Sequence, residues 1–234
     1  MEKAYRIPDG SIEALKWIAL VLMTGDHVDK YLFSATLPVL FEAGRMCLPI
    51  FVFVLAYNLA RPGALLKGVH LRTMRRLAIT GVIASVPYTG LGGLWAGWWP
   101  LNVLFTLFVL TAAIYLLDRN GRYDKPLAWL IVLIGGGLVE SKYPGVIGGI
   151  AVWYFVRNQG TISLTIAIMS CTLLWLINHN YWSLAAIPLI FVISKIDMPV
   201  KRLQWVFYAY YPIHLTVIWL IKIQMTKAGY LFFY

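Results

Sequence analysis

The sequence predicts an all-α protein, a polytopic bundle of about eight or nine membrane-spanning helices with a cytoplasmic N-terminus. Three observations carry that reading. The 234 residues are 60% apolar and 13% charged, whereas a soluble domain of this size carries about 25% charged residues. Apolar runs of about 20 residues, long enough to cross a hydrocarbon core about 30 Å thick, follow one another almost end to end. The basic residues fall mainly in alternate connecting segments, as the positive-inside rule requires of a multi-pass chain.

Taken in order, the spans are read at 12–31, 38–60, 73–90, 101–118, 126–140, 145–157, 161–178, 181–195 and 204–222, with breaks at Pro, Gly and charge clusters. The first follows "MEKAYRIPDGS" and has no small-residue cleavage site, so it reads as a retained span rather than a signal peptide. The second carries "EAGRMCLP" in its outer half, and the third follows a basic inner segment holding Arg61, Lys67, Arg72, Arg75 and Arg76. The fourth opens on "LNVLF". The fifth and sixth are short, and "GGGLVESKYPGVIGG" between them reads equally as a loop or as the tip of a re-entrant pair. The last contains "YYPIHL", where the proline frees backbone carbonyls next to a histidine.

With the N-terminus inside, the inner segments collect Lys3, Arg6, the five basic residues of the second connection, Arg119, Arg122, Lys125, Arg157, Lys195, Lys201 and Arg202. The outer ones hold Lys30, Lys142, Lys222 and Lys227, along with Trp95, Trp98, Trp99, Tyr181 and Trp182 at headgroup depth. Dispersal of the +10 charge over several short segments argues for inner-leaflet lipid and against nucleic acid as the electrostatic partner. Cys47 and Cys171 fall inside apolar runs and read as packing thiols, not a disulfide or a metal site. No internal repeat is visible, so the chain reads as a single domain over 1–234.

Five ionisable groups lie within spans, away from the inner edge: Asp26, His27, Glu42, Arg45 and His214. An Asp or Arg at mid-membrane costs roughly 2.5–3.5 kcal/mol, so such groups pair and face the bundle interior. Asp26 and Arg45 sit at similar outer depth on adjacent antiparallel spans and are expected to pair. Lys16 and His27 are eleven residues apart, about 20° from eclipsed and roughly 16 Å apart along the helix. One stripe therefore carries a cation near the inner surface and an imidazole deep in the membrane, which suits a long donor with a phosphate head and a reactive tip. Histidine, with an ordinary pKa near 6.5, can take the proton from an attacking amine or hydroxyl. His214 is the second candidate for that office, and both histidines also fit a plain packing role.

"LKWIALVLMTGDHVDK", "AGRMCLPIFVFVLAYNLAR", "RRL", "LNVLF", "YPGVIGG" and "FYAYYPIHL" together resemble the TraX family of conjugative inner-membrane proteins associated with pilin N-acetylation. The resemblance implies kinship with integral-membrane acyltransferases of the acyltransferase-3 type, matched here by Lys16 and His27 on the first helix and by Tyr211 and His214 on the last. Lys16 departs from that pattern, which has arginine; lysine keeps the charge but lacks the bidentate fork. The implied activity is transfer of an acetyl or other acyl group from cytoplasmic acyl-CoA to a pilin subunit or another membrane or periplasmic acceptor, with no metal. Asp26, His27, Arg45 and His214 are the expected catalytic set, and Lys16, Arg61, Arg72, Arg75 and Arg76 the expected donor-binding set. The competing readings are a non-catalytic assembly or lipid-binding component of a conjugation apparatus, and a small transporter.

Overall fold

The computed structural model describes residues 6–94 and 99–230. Within them the chain is all-α: α1 (Asp9–Leu32), α2 (Pro38–Gly44), α3 (Cys47–Ala60), α4 (Val69–Gly90), α5 (Val103–Arg119), α6 (Asp124–Leu138), α7 (Lys142–Asn158), α8 (Thr161–Leu173), α9 (Trp175–Asn178), α10 (Ala186–Ile193) and α11 (Gln204–Lys227). A 3₁₀ turn, Trp182–Ala185, leads into α10. Helices α2–α3 and α8–α9 each form one broken rod, so the described residues make nine rods along the stretches the hydropathy marked. Three helical stretches, Pro38–Ala60, Thr161–Asn178 and Trp205–Lys227, are long and apolar enough to cross a membrane. α1, at 24 residues, is about 36 Å long and also long enough. It is less apolar because it carries Glu13, Asp26 and Asp29, all three turned into the bundle.

Local chemistry sets the rod ends. α1 begins after Pro8, with Asp9 in its first turn and Lys30 in its last, each sign matching the helix dipole. The break between α2 and α3 follows from Pro49, which has no N–H to give the carbonyl of Arg45 four residues back. The chain tightens there into i→i+3 bonds, from Arg45 N–H to Glu42 O (3.1 Å) and from Met46 N–H to Ala43 O (3.2 Å). α3 stops at Ala60 because Arg61 precedes Pro62 and is held extended (ψ 141°). α5 is capped by Asn102, whose Oδ1 accepts from Leu104 N–H (3.1 Å) while its Nδ2 donates to Gly81 O (2.9 Å), tying α5 to α4.

Three apolar cores hold the rods together. One joins α3, α5, α6 and α7 around Leu110, Ile114 and Ile150. Another packs the start of α1 on α3 and α10 through Leu15, Ile50 and Ala186. The third brings the second half of α1 against α4, α5 and α11 through Met23, Leu77, Leu104 and Leu215. The first and last long helices thus meet face to face, and the site forms on their seam. Arg72, Arg75 and Arg76 lie on the opening turns of α4, because the helix starts at Val69, and not in the connecting segment where the sequence reading put them. Lys3, Trp95 and Trp98 fall outside the described residues; Trp99 donates from Nε1 to Gly137 O (2.8 Å).

Candidate active site

The seam between α1 and α11 is polar. On α1, Glu13, Lys16, Thr24, His27 and Tyr31 recur at helical spacing; α11 answers with Phe207, Tyr210, Tyr211 and His214. Lys16 Nζ lies 4.6 Å from the Phe207 ring centre and 2.5 Å from Glu13 Oε1. Thr24 donates to Leu20 O (2.8 Å), so the Tyr210 hydroxyl, 2.8 Å from Thr24 Oγ1, is the donor of that pair.

At the deep end, His27 Nδ1 lies 2.7 Å from His214 Nε2. The ring centres are 5.0 Å apart with planes 4° from parallel. Ring centres so much further apart than the 2.7 Å between the nitrogens place the two rings edge to edge in one in-plane hydrogen bond, and not in a face-to-face stack. His214 Nδ1 lies 2.9 Å from Tyr210 O. A carbonyl only accepts, so His214 Nδ1 carries the hydrogen, and in the neutral ring Nε2 is then the lone-pair nitrogen. His27 Nδ1–H therefore donates to it, and the lone pair of His27 falls on Nε2. Tyr210 stacks on His214 (5.0 Å, 17°), and Tyr211 sets its ring edge-on to both histidines, 6.1 Å from His27 and 5.4 Å from His214.

A cavity of about 170 Å³ runs between α1, α3, α4, α5 and α11. Lys16, Arg202, Asn58 and Thr73 line one end; Met23, Leu104 and Tyr211 line the other, with Met23 one turn before His27. The walls between are mainly apolar. Lys16 lines the basic end, whereas neither histidine lines the cavity: Tyr211, edge-on to both rings, lines its deep end.

The other expected residues divide. Asp26 and Arg45 do pair, carboxylate Oδ1 to guanidinium, and both side chains are largely buried. Arg45 also donates from Nε to Phe41 O (3.2 Å) and reaches Asn178 Oδ1 (3.5 Å), so one guanidinium ties α1, α2 and α9. Gly44 makes the approach possible, since a Cβ there would lie 2.4 Å from Asp26 Cβ. Glu42 takes no part in that pair. Of the basic set, Arg76 stands over the rings of Trp205 (4.6 Å) and Tyr208 (5.6 Å) beside the cavity mouth. Arg72 and Arg75 are exposed on α4 and do not line the cavity. Arg61 pairs with Asp9 (2.5 Å) across a separate, wide groove that Arg6, Asp118 and Arg157 also line.

The structure adds Arg202, Tyr208, Tyr210, Thr24 and Glu13. The α1 members were legible as a polar stripe at i, i+3 and i+4 spacing; Arg202 had no local signal, because a loop brings it over α1. Among the described residues no group of three or more His, Cys, Asp or Glu could hold a metal ion. Cys47 and Cys171 are unbridged, and Cys171 Sγ lies 3.2 Å from Ser183 O.

An apolar helical bundle that buries the Asp26–Arg45 ion pair and a histidine pair in its interior has the make-up of a membrane protein. Comparison with protein families identifies which kind: the family model described as TraX protein matches residues 11–222. The chain belongs to the TraX family, a conjugation-related group of proteins. No curated protein and no solved structure matches the chain.

Proposed function

We propose that the protein is a multi-pass acyltransferase of the bacterial inner membrane. It moves an acetyl or other acyl group from cytoplasmic acyl-CoA to an acceptor at the membrane or periplasmic side, a conjugative pilin N-terminus being the acceptor its family suggests. The nine rods are then nine passes, with the basic end, and so the N-terminus, cytoplasmic. The observation that carries the reading is the tautomer fixed by Tyr210 O, which leaves the lone pair of His27 on Nε2, on the ring edge away from His214.

In this reading Lys16 and Arg202 take the donor's phosphates at the cavity mouth, and the pantetheine arm follows the apolar walls past Met23. A neutral amine or hydroxyl of the acceptor attacks the thioester carbonyl. The new C–N or C–O bond forms, the C–S bond breaks, and the acceptor's proton passes to His27 Nε2 and from there to the departing thiolate. His214 positions His27 and shares the imidazolium charge through their hydrogen bond. Asp26 and Arg45 hold α1 against α2 beside the reacting end.

Calorimetry of acetyl-CoA with purified protein in nanodiscs, followed by transfer of labelled acetyl to an acceptor, tests the proposal. Saturable binding with acetyl transfer is expected. Absence of saturable binding would instead favour a non-catalytic assembly or lipid-binding component.

A further inference from the structure

The mouth of the cavity presents its phosphate-seeking lysine already occupied. Lys16 Nζ is held by Glu13 Oε1 at 2.5 Å, one turn back on the same helix. Glu13 is 5% exposed, and its second oxygen, Oε2, is buried with no hydrogen-bond partner among the described residues. Arg202, which lines the same mouth, is exposed and forms no ion pair among the described residues. The mouth thus holds one cation committed to a buried carboxylate and one without a carboxylate among the described residues. A buried carboxylate with one oxygen unsatisfied among the described residues calls for an explanation beyond packing.

We propose that Glu13 is a counter-ion latch on the donor site: it holds Lys16 while the cavity is empty and yields it to the donor's phosphate, so that only a phosphorylated donor can claim the lysine. The inference rests on the acyl-CoA reading above and adds the residue that sets donor selectivity. An ammonium is a compact point charge with three donors. A phosphate drawn to it comes within a few ångströms of the Glu13 carboxylate, and two anions at that separation repel strongly in a poorly solvated site. Binding therefore includes the work of breaking the Glu13–Lys16 pair. A donor without phosphates supplies nothing to replace it and leaves the pair closed.

The test is calorimetry of acetyl-CoA with the full chain in nanodiscs, for wild type, Glu13→Gln, Lys16→Met and the double variant. S-acetylpantetheine, which has no phosphate, serves as the neutral competitor. Glu13→Gln should tighten acetyl-CoA about tenfold, the equivalent of one charge-assisted contact no longer broken. S-acetylpantetheine affinity should not change. Lys16→Met should weaken acetyl-CoA, and adding Glu13→Gln to it should restore only part of that loss, because the carboxylate's repulsion is relieved but no ammonium remains to be released. If Glu13→Gln fails to accumulate, Glu13→Asp, whose shorter arm loosens the contact, should show a smaller tightening in the same direction. Acetyl-CoA bound by wild type but no more tightly by Glu13→Gln, or by Glu13→Asp in its place, overturns the latch alone. Failure of wild type and Glu13→Gln to bind any acetyl-CoA overturns the donor reading and the latch with it.

Discussion

One backbone carbonyl, that of Tyr210, fixes the hydrogen inventory of both histidines. Their roles should separate on that account. His27→Ala is expected to lower acetyl transfer by about 10²–10⁴-fold while acetyl-CoA binds nearly as before, the usual loss for a positioned acid–base group. His214→Ala should lower turnover less, because His27 keeps its Nε2 and loses only its orienting partner. The reverse ranking would make His214 the base. Asp26 and Arg45 belong to the same scale. Removing one strands the other, at a cost of about 3–5 kcal/mol for a buried pair, so Asp26→Asn and Arg45→Gln should each lose folded protein. The double variant should recover much of it, and a thermal-unfolding cycle would read the coupling directly. Lys16, His27, Asp26 and Arg45 were legible in the sequence because a charge inside an apolar run needs a partner. That the two histidines touch was not, since 187 residues separate them and no local pattern spans that distance.

At the level of elements, the broken rod α2–α3 is where sequence and geometry bind most tightly. Gly44→Ala would drive a methyl into Asp26, with 2.4 Å to its Cβ, in a place where the neighbour is the root of a side chain and cannot swing away. Overpacking of that kind costs about 1–3 kcal/mol, so Tm in detergent should fall by several degrees, and the Asp26–Arg45 contact should be lost with it. The α5–α6 turn carries a pH signature of its own. The Arg119 guanidinium, gripping Asp124 through Nε (2.7 Å), pulls that carboxyl down to about 2, helped by Gly121 N–H (2.8 Å). Its ordinary value is about 3.9. A depressed carboxyl contributes stability above the unfolded value and loses it as pH falls through the folded one. The protection of Gly121 N–H, its exchange measured against the intrinsic rate at each pH, should therefore hold at pH 4 and fall towards pH 2, while Asp124→Asn should lower that protection at neutral pH. The helix positions were readable from hydropathy, whereas the break at Gly44–Met46 was not, because 38–60 is long enough for one span and a proline within a span does not say whether the helix bends or breaks.

For the molecule as a whole, sidedness decides between readings. Leu66, 93% exposed at the basic end, and Tyr181, 58% exposed at the other, are suitable positions for single cysteines in a background lacking Cys47 and Cys171. Membrane-impermeant reagent applied from the periplasm should label a cysteine at Tyr181 and spare one at Leu66; the opposite pattern would place Lys16 and Arg202 on the side away from the proposed cytoplasmic donor. That the chain is helical, and about where its rods lie, followed from hydropathy, but which rods touch did not. Neither the meeting of α1 with α11, where the rings of Trp17 and Phe207 touch edge-on, nor that of α4 with α11, where Gly90 admits Trp219, leaves a periodic trace in the sequence.

That meeting of first and last helices has a consequence for biosynthesis. A ribosome delivers α11 long after α1, so the imidazole pair, the cavity's inner wall and the cleft over Lys16 all wait for that later helix. Until then the nascent chain is an unfinished vessel with one side missing, holding ionisable residues for which lipid is a poor host. A chain halted after α10 should reach the membrane yet neither retain donor nor escape quality-control proteolysis. Supplying α11 as a separate peptide should restore both, since what it contributes is a wall and a histidine, not a covalent link.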